Sequence, residues 1–154
     1  MATKTFLLAS LSILVSGLAF AAAAEPFELH AVADAASNDT TEYSLPSPKG
    51  GSSTVLLHSE VLLDSSAIKS AALGHEPEGA PQILITFTES GGKRFAEITT
   101  KYNGMRLGIV LGSKLHSTPF VHGPISGGFV TISGNFTEAE ATELVQELNQ
   151  AVAK

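Results

Sequence analysis

The chain has 154 residues, no cysteine and a formal net charge of −6 at pH 7. The lack of cysteine excludes disulfides, a thiolate nucleophile and a cysteine-ligated metal. The acidic balance argues against nucleic acid and against an anionic membrane surface as partners, because both select basic proteins.

The first 24 residues have the layout of a secretory signal peptide. Lys4 precedes an uncharged apolar run from Phe6 to Phe20, and Ala22 and Ala24 supply the small residues of a cleavage site. The run is shorter than the roughly 20 residues that a membrane-spanning helix needs. We therefore expect cleavage after Ala24, no stable membrane insertion afterwards, a periplasmic or secreted location, and a single α+β domain over 25–154.

The first half of this domain predicts short strands separated by polar loops. Phe27 to Val32 alternates between apolar and polar residues, as a half-buried strand does. Residues 34–53 are rich in Ser, Thr, Pro, Gly and Asx, which indicates a loop with at most a short strand at EYSL. Thr54 to Leu63 predicts a second strand, after which Asp64 or Ser65 is placed to cap a helical turn. The segment SAALGHE is then expected to be extended.

The second half predicts a strand, a helix and a hairpin in succession. Gln82 to Thr88 is rich in β-branched and aromatic residues, which favour strands. The next segment has apolar residues at helical spacing and ends at Gly104, a residue type common at helix C-termini. Met105 to Leu111 alternates again, and Gly112–Ser113 fits a two-residue hairpin turn. Pro119 interrupts the return strand, which therefore belongs at a sheet edge.

A glycine turn joins the strand GFVTIS to the last helix, and such turns sometimes hold phosphate. Thr137 and Glu140 form a T-x-x-E capping box that occupies the backbone N–H groups a phosphate would need. The helix from Glu138 to about Val152 adds acidic residues, and no Lys or Arg lies between Gly127 and Gln150. We interpret the glycines as a strand-to-helix joint.

Strands and helices in this half alternate as β-α-β-β-β-α. That order favours an α+β fold with a single antiparallel or mixed sheet and two amphipathic helices on one face.

A spaced pattern of residues runs through the same half. It consists of a G…F…T helix, a G-x-x-L-x-I-V-L strand, an S-x-P segment, an I-x-x-G-x-x-x-I-x-G-x-F-T stretch and an E-A…L…L helix. The residues that carry it are Gly92, Phe95, Thr99, Gly104, Leu107, Ile109, Leu111, Ser117, Pro119, Ile125, Gly128, Ile132, Gly134, Phe136, Thr137, Glu140 and Leu144. The pattern resembles the head subdomain of the first periplasmic domain of SecD and SecDF, over about residues 55–154.

This resemblance implies a ferredoxin-like head that contacts the emerging, unfolded chain during protein export, without catalytic residues. SecD carries its head on a base subdomain followed by transmembrane helices whose charged residues couple to proton flow. We expect no counterpart of either in this protein, and therefore no use of a proton gradient. We therefore expect an exported, non-enzymatic module that binds extended polypeptide or an envelope partner protein.

Apolar residues occur together with glycine and proline in STPFVHGPISGGF, directly after the predicted edge strand. An extended peptide adds to such an edge by main-chain pairing, and a buried connection is the alternative interpretation. We predict that the binding residues are Ser117, Pro119, Phe120, Val121, Ile125 and Phe129.

Catalytic and metal-binding motifs are weak in this sequence. His58 and Glu60 share a strand face and His116 and His122 flank a bend, but no HxxxH or HExxH spacing occurs. GxSxG is absent, and Ser126 beside its glycine fits a turn better than a nucleophile elbow. We predict no catalytic residue, no metal and no cofactor. The alternative is a small-ligand-binding or hydrolytic protein on the same scaffold, because a fold does not determine a function.

Overall fold

The structure is a computed structural model that describes residues 26–47 and 49–153. The predicted signal peptide over 1–24 lies outside the described residues. Within them, every helix is too short or too polar to cross a membrane.

The described residues form nine strands, one 3-10 turn and two α-helices. In chain order these are β1 (Phe27–Ala33), β2 (Thr40–Pro46), β3 (Ser52–His58), β4 (Leu63–Asp64), the 3-10 turn (Ser65–Ala67), β5 (Ile68–His75), β6 (Pro81–Phe87), α1 (Glu89–Lys101), β7 (Leu107–Leu111), β8 (Lys114–Ser117), β9 (Phe129–Ser133) and α2 (Glu138–Val152). All strand pairing is antiparallel.

The α+β class and the two helices are confirmed, but the strands form two sheets where one was expected. The first sheet has the order β2-β3-β1-β7-β8, with β4 also paired to β1, and the second has the order β5-β6-β9. β7 is buried along its whole length because its two faces pack against different layers. Leu107, Ile109 and Leu111 lie in the core shared with the second sheet and the helices, whereas Val110 packs with Leu57 and Leu115 of its own sheet. The ferredoxin-like arrangement stays a prediction.

The short strand allowed at EYSL is present and is longer than expected, because β2 runs from Thr40 to Pro46 and pairs with β3. Tyr43 and Leu45 in β2 pack with Leu57 in β3 and with Val110 in β7, in a small core of their own. The Ser/Thr-rich composition does not show the full length of this strand, because its partners for burial come from β3 and β7.

The main core lies between the two sheets and the helices. One continuous cluster joins β1 and β7 of the first sheet to β5, β6 and β9 of the second, and both helices pack against β6. Its most buried members include Phe27, Leu29, Leu111, Ile83, Ile85, Ile132 and Leu148. This core is the floor on which the candidate site is built.

Local signals read from the sequence are confirmed at several element ends. Asp64 caps the 3-10 turn by accepting from Ser66 N–H at 2.9 Å. Thr137 and Glu140 make the reciprocal capping box at the start of α2. Hydrogen bonds from Thr137 hold the pKa of the Glu140 carboxyl below its usual value. The turn at Gly112 connects β7 and β8, with a positive φ of 53°.

Candidate functional site

One edge of β9 has no neighbouring strand in the part of the chain that the structure describes. On its other side β9 pairs with β6, and Phe87 N–H donates to Gly128 O at 2.9 Å. In the same register Ile85 lies opposite Val130. Hydrogen-bonded pairs alternate along antiparallel strands, so the main-chain groups of residues 128, 130 and 132 face β6.

The main-chain groups of the intervening residues therefore face away from β6. They belong to Phe129, Thr131 and Ser133, and no hydrogen bond to them is found among the described residues. Three N–H groups and three C=O groups of β9 are thus available to another strand.

Residues 117–125 form the opposite wall of a groove beside this free edge. The segment continues from β8 and stays attached to the first sheet by a bridge between Phe120 and Arg106. Val121 N–H donates to Met105 O at 2.8 Å beside that bridge. The chain then crosses towards β9, so the groove lies between the edges of the two sheets.

The floor of the groove consists of core side chains. Phe27 and Leu29 from β1 and Leu107 and Ile109 from β7 lie there, in a cavity of about 420 Å³. We call this cavity the edge groove; its walls are residues 117–125 and the free edge of β9.

The wall formed by residues 117–125 is tied to α1 by one buried hydroxyl. Thr99 is 1% exposed. Its Oγ1 accepts from Ile125 N–H at 2.9 Å and donates to Phe95 O at 2.9 Å. This bond holds the far end of the segment in place, so the groove does not depend on a loose loop.

The predicted binding residues come together at the edge groove. All but one line it directly, and Phe129 lies at its end, in β9. Phe120, Ile125 and Phe129 are 49%, 40% and 53% exposed, whereas Val121, in the same wall as Phe120, is buried at 5%. The interpretation of this segment as a buried connection is therefore wrong for Phe120, Ile125 and Phe129.

Most residues that line the groove come from a part of the chain that carries no carboxylate. No Asp or Glu occurs between Glu97 and Glu138, and none is among the lining residues. The lining therefore offers no carboxylate that would attract a basic partner.

The opposite edge of the second sheet, along β5, is closed by a side chain. Asn149 in α2 accepts from Ala71 N–H through Oδ1 and donates to Ala71 O through Nδ2, both at 2.9 Å. The amide thus takes the two hydrogen bonds that a neighbouring strand would make. Proteins commonly block exposed strand edges in such ways, and no described residue blocks β9 in an equivalent way.

Two larger depressions, of about 970 and 800 Å³, lie beside the β7–β8 turn and are lined largely by polar side chains. The second contains His116, whose ring stacks on Phe136 with centroids 4.9 Å apart. Burial lowers the pKa of His116, and its Nε2 finds no hydrogen-bond partner in the described chain. Both depressions mix these polar groups with apolar ones, such as Leu111 and Leu115 in the second, whereas the lining of the edge groove is mostly apolar.

The weak histidine pairs do not assemble into sites. His58 contacts Asp39, with 3.1 Å between Nδ1 and Oδ2, while Glu60 contributes its carbonyl oxygen to His30. His122 lies against Phe120 with ring centroids 5.0 Å apart. Across residues 26–47 and 49–153, no three His, Asp or Glu side chains are grouped as metal ligands would be.

Comparison with known proteins decides the family. Residues 41–151 match the family model described as "SecDF, P1 head subdomain". The chain belongs to the SecDF P1 head subdomain family. The match includes the β2–β3 hairpin, so the SecDF head extends further towards the N-terminus than the sequence pattern indicated.

Curated relatives of this SecDF head are much longer proteins. It is 38% identical over 90 residues to protein translocase subunit SecD of Rickettsia typhi, which covers 58% of this chain and 17% of that relative. It is 35% identical over 98 residues to SecD of Magnetococcus marinus, a match that covers 62% of this chain and 19% of that SecD. The chain thus spans less than a fifth of the length of either SecD.

A solved structure supports the fold. The crystal structure of SecDF in its super-membrane-facing form superposes with a TM-score of 0.63 at 25% identity, over 79% of this chain and 18% of that one.

Sequence reasoning missed two parts of the site in this SecDF head. Phe27 and Leu29 have the ordinary pattern of core positions, and nothing in their neighbourhood marks them as a groove floor. The block on β5 by Asn149 was also missed, because Asn149 and Ala71 are 78 residues apart.

Proposed function

We propose that this protein is an exported, non-enzymatic member of the SecDF head family that binds extended polypeptide in the edge groove. The observation that carries the proposal is the free edge of β9, which runs beside an apolar cavity. The proposed location is the periplasm or the exterior, after removal of residues 1–24.

Apolar surface around the groove supports this proposal. Large apolar side chains exposed elsewhere on proteins are usually scattered singly. Here four lie on the groove walls or beside them, with Met105 at 45% exposure in addition to Phe120, Ile125 and Phe129. Covering them would stabilise a complex by roughly 25 cal/mol for each Å² of apolar surface buried.

The difference between the two edges of the second sheet also supports it. An unblocked edge is a template for unwanted pairing, and proteins avoid such edges unless they use them. This chain blocks β5 with Asn149 and leaves β9 open beside an apolar floor. Use of β9 by a partner explains why one edge is blocked and the other is not.

The family adds a context for the partner. Relatives are protein translocase subunits, and a chain in translocation is extended, with its main-chain groups unpaired. Such a chain supplies main-chain groups that can pair with the free edge of β9, and apolar side chains that can fill the edge groove. We therefore assign extended polypeptide as the ligand class.

The small-ligand-binding or hydrolytic alternative is not favoured. Among the residues that line the edge groove, His122 is the one titratable side chain. Its neighbour is the Phe120 ring, and an apolar ring neither activates a base nor orients it.

The test measures binding of a fluorescently labelled, permanently unfolded polypeptide, reduced and carboxymethylated α-lactalbumin, by fluorescence anisotropy. We expect saturable binding, weakened at least about tenfold by Phe120→Glu because a carboxylate in the apolar wall loses its hydration. Val61→Glu is the matched control, since Val61 is 39% exposed and lies away from the groove. Absence of binding at high micromolar protein, or equal effects of the two variants, would overturn the proposal.

A further inference from the structure

We propose that the bound polypeptide adds to β9 as a fourth, antiparallel strand of the second sheet. Every second peptide residue exchanges main-chain hydrogen bonds with Phe129, Thr131 or Ser133. The residues between them point their side chains into the edge groove, where uncharged aliphatic groups fit. This inference rests on the proposed function and adds to it a binding mode and a class of peptide.

The way β9 lines the groove shows that its edge, rather than one of its faces, forms the wall. Val130, Thr131, Ile132 and Ser133 all line the cavity. Their exposure alternates, with Ile132 buried and Thr131 and Ser133 exposed. A wall made from one face of a strand would use every second residue, because successive side chains point to opposite faces. Four consecutive residues indicate the main-chain edge.

The β5 side of the second sheet shows the same alternation in the direction of the main-chain groups. Ile85 bonds towards Val130 in β9, so its main-chain groups are not available to Ala71, which pairs with it in β5. Ala71 N–H and C=O must then point outwards. Asn149 is found bonded to both. The hydrogen bonds to Asn149 therefore confirm that the main-chain groups of Ala71 point away from β6, as the alternation requires.

The length of the free edge sets the size of the ligand. Residues 129–133 offer three outward-facing positions, and a five-residue strand is roughly 17 Å long at about 3.3 Å per residue. A segment of about five residues is therefore enough to use every free group of β9.

The floor of the groove sets the chemistry of the inward side chains. They would meet Phe27, Leu29, Leu107 and Ile109, which are between 1% and 5% exposed. A charged group placed there would lose its hydration without gaining a partner. Valine, isoleucine and leucine suit the floor.

In an antiparallel strand, the residues that hydrogen-bond to β9 and the residues whose side chains enter the groove are different ones. Residues opposite Phe129, Thr131 and Ser133 would carry the hydrogen bonds, and their side chains would point outwards with those of their partners. The inward residues would lie opposite Val130 and Ile132 and would leave their own N–H groups facing away from β9. In a parallel strand the inward residues would carry the bonds instead.

Peptides with selective N-methylation test this arrangement. The probe is a labelled nine-residue peptide that alternates valine and threonine, so that one face is aliphatic and fits the groove. N-methylation of all threonines removes the donors that an antiparallel strand aims at β9. N-methylation of all valines removes donors that face away. Binding of each to the purified protein is measured by fluorescence anisotropy.

We expect the threonine-methylated peptide to bind at least about tenfold more weakly than the parent, and the valine-methylated peptide to bind within about threefold of it. The reverse result would overturn the antiparallel assignment. Equal effects of the two sets would overturn main-chain pairing, while the proposed function would still stand if unfolded polypeptide binds in a manner sensitive to Phe120→Glu. Absence of any peptide or polypeptide binding would overturn both.

A substitution in β9 also tests main-chain pairing between the peptide and this strand. Thr131 N–H faces the free edge, so Thr131→Pro removes a donor of the groove without removing a hydrogen bond to β6. We expect the parent peptide to bind this variant at least about tenfold more weakly, with the melting temperature showing that the fold is kept. Unchanged binding to a folded variant would contradict the pairing; if the variant does not fold, the two methylated peptides decide.

Discussion

His30 Nδ1 lies 2.9 Å from the carbonyl oxygen of His58, across the point where β1 changes partner from β3 to β4. The same nitrogen lies 3.1 Å from Glu60 O, and Nε2 lies 3.2 Å from a carboxylate oxygen of Glu28. The ring is 4% exposed. It supplies the donor that the interrupted ladder lacks, so His30 is a structural residue of the first sheet.

Replacement of His30 by leucine should therefore destabilise the protein. The variant leaves two partly buried carbonyl oxygens without their donor, which costs about 1–2 kcal/mol. Urea unfolding of both proteins measures the difference. His75→Leu is the control, because the contact between His75 and Glu138 is exposed at 49% and 60% and such pairs contribute roughly 0–1 kcal/mol. Equal losses would show that His30 has no special role.

Gly91→Ala should destabilise the protein although alanine favours helices. A Cβ at Gly91 would lie 2.3 Å from the carbonyl oxygen of Ala67, because the first turn of α1 packs directly on the 3-10 turn. Such overpacking costs about 1–3 kcal/mol, and the gain in helix propensity of about 1 kcal/mol offsets only part of it. Chemical denaturation of the two proteins gives the difference.

The control for this change is Gly123→Ala. A Cβ there would have no atom within 4 Å, so its effect should stay below about 0.5 kcal/mol. A neutral or stabilising Gly91→Ala would mean that the contact with Ala67 relaxes easily.

Asn149→Leu should open the edge of β5. The variant removes both hydrogen bonds to Ala71 and leaves an unpaired edge, so we expect a loss of about 1–2 kcal/mol and association that increases with protein concentration. Light scattering coupled to size-exclusion chromatography measures the association. Gln146→Leu adds the same apolar group on an exposed position of α2 and should remain unassociated. A monomeric Asn149→Leu protein at high concentration would argue against the blocking role.

The half-buried ring of His116 should make stability fall in mild acid. Burial lowers its pKa from the ordinary value of 6.5, so the unfolded chain binds this proton more readily than the folded one. Stability from this group is then fully present above about pH 6.5 and decreases as the pH falls through that value towards the lower folded pKa.

His116→Phe provides the comparison, since phenylalanine keeps the contact with Phe136 and cannot titrate. Urea unfolding at pH 8, 6.5 and 5 should show that the wild-type protein loses more stability than the variant across this range. Parallel decreases for the two proteins would show that other groups cause the acid sensitivity.

The sequence by itself determined the features that depend on neighbours a few residues apart. The capping box of Thr137 and Glu140, the hairpin turn at Gly112 and the strand around Ile85 were all predicted, because each is specified by its own segment. The spaced pattern from Gly92 to Leu144 was enough to identify the family.

Only the tertiary structure decided which strand edge stays free and what lies beside it. Asn149 reaches Ala71 from 78 residues away, and Phe27 becomes a groove floor only because β7 and the segment after β8 lie beside it. The full length of β2, beyond the short strand expected at EYSL, is likewise stabilised by burial against Leu57 and Val110. These features depend on contacts between distant segments, and hydrophobic packing has no direction that a local pattern would record.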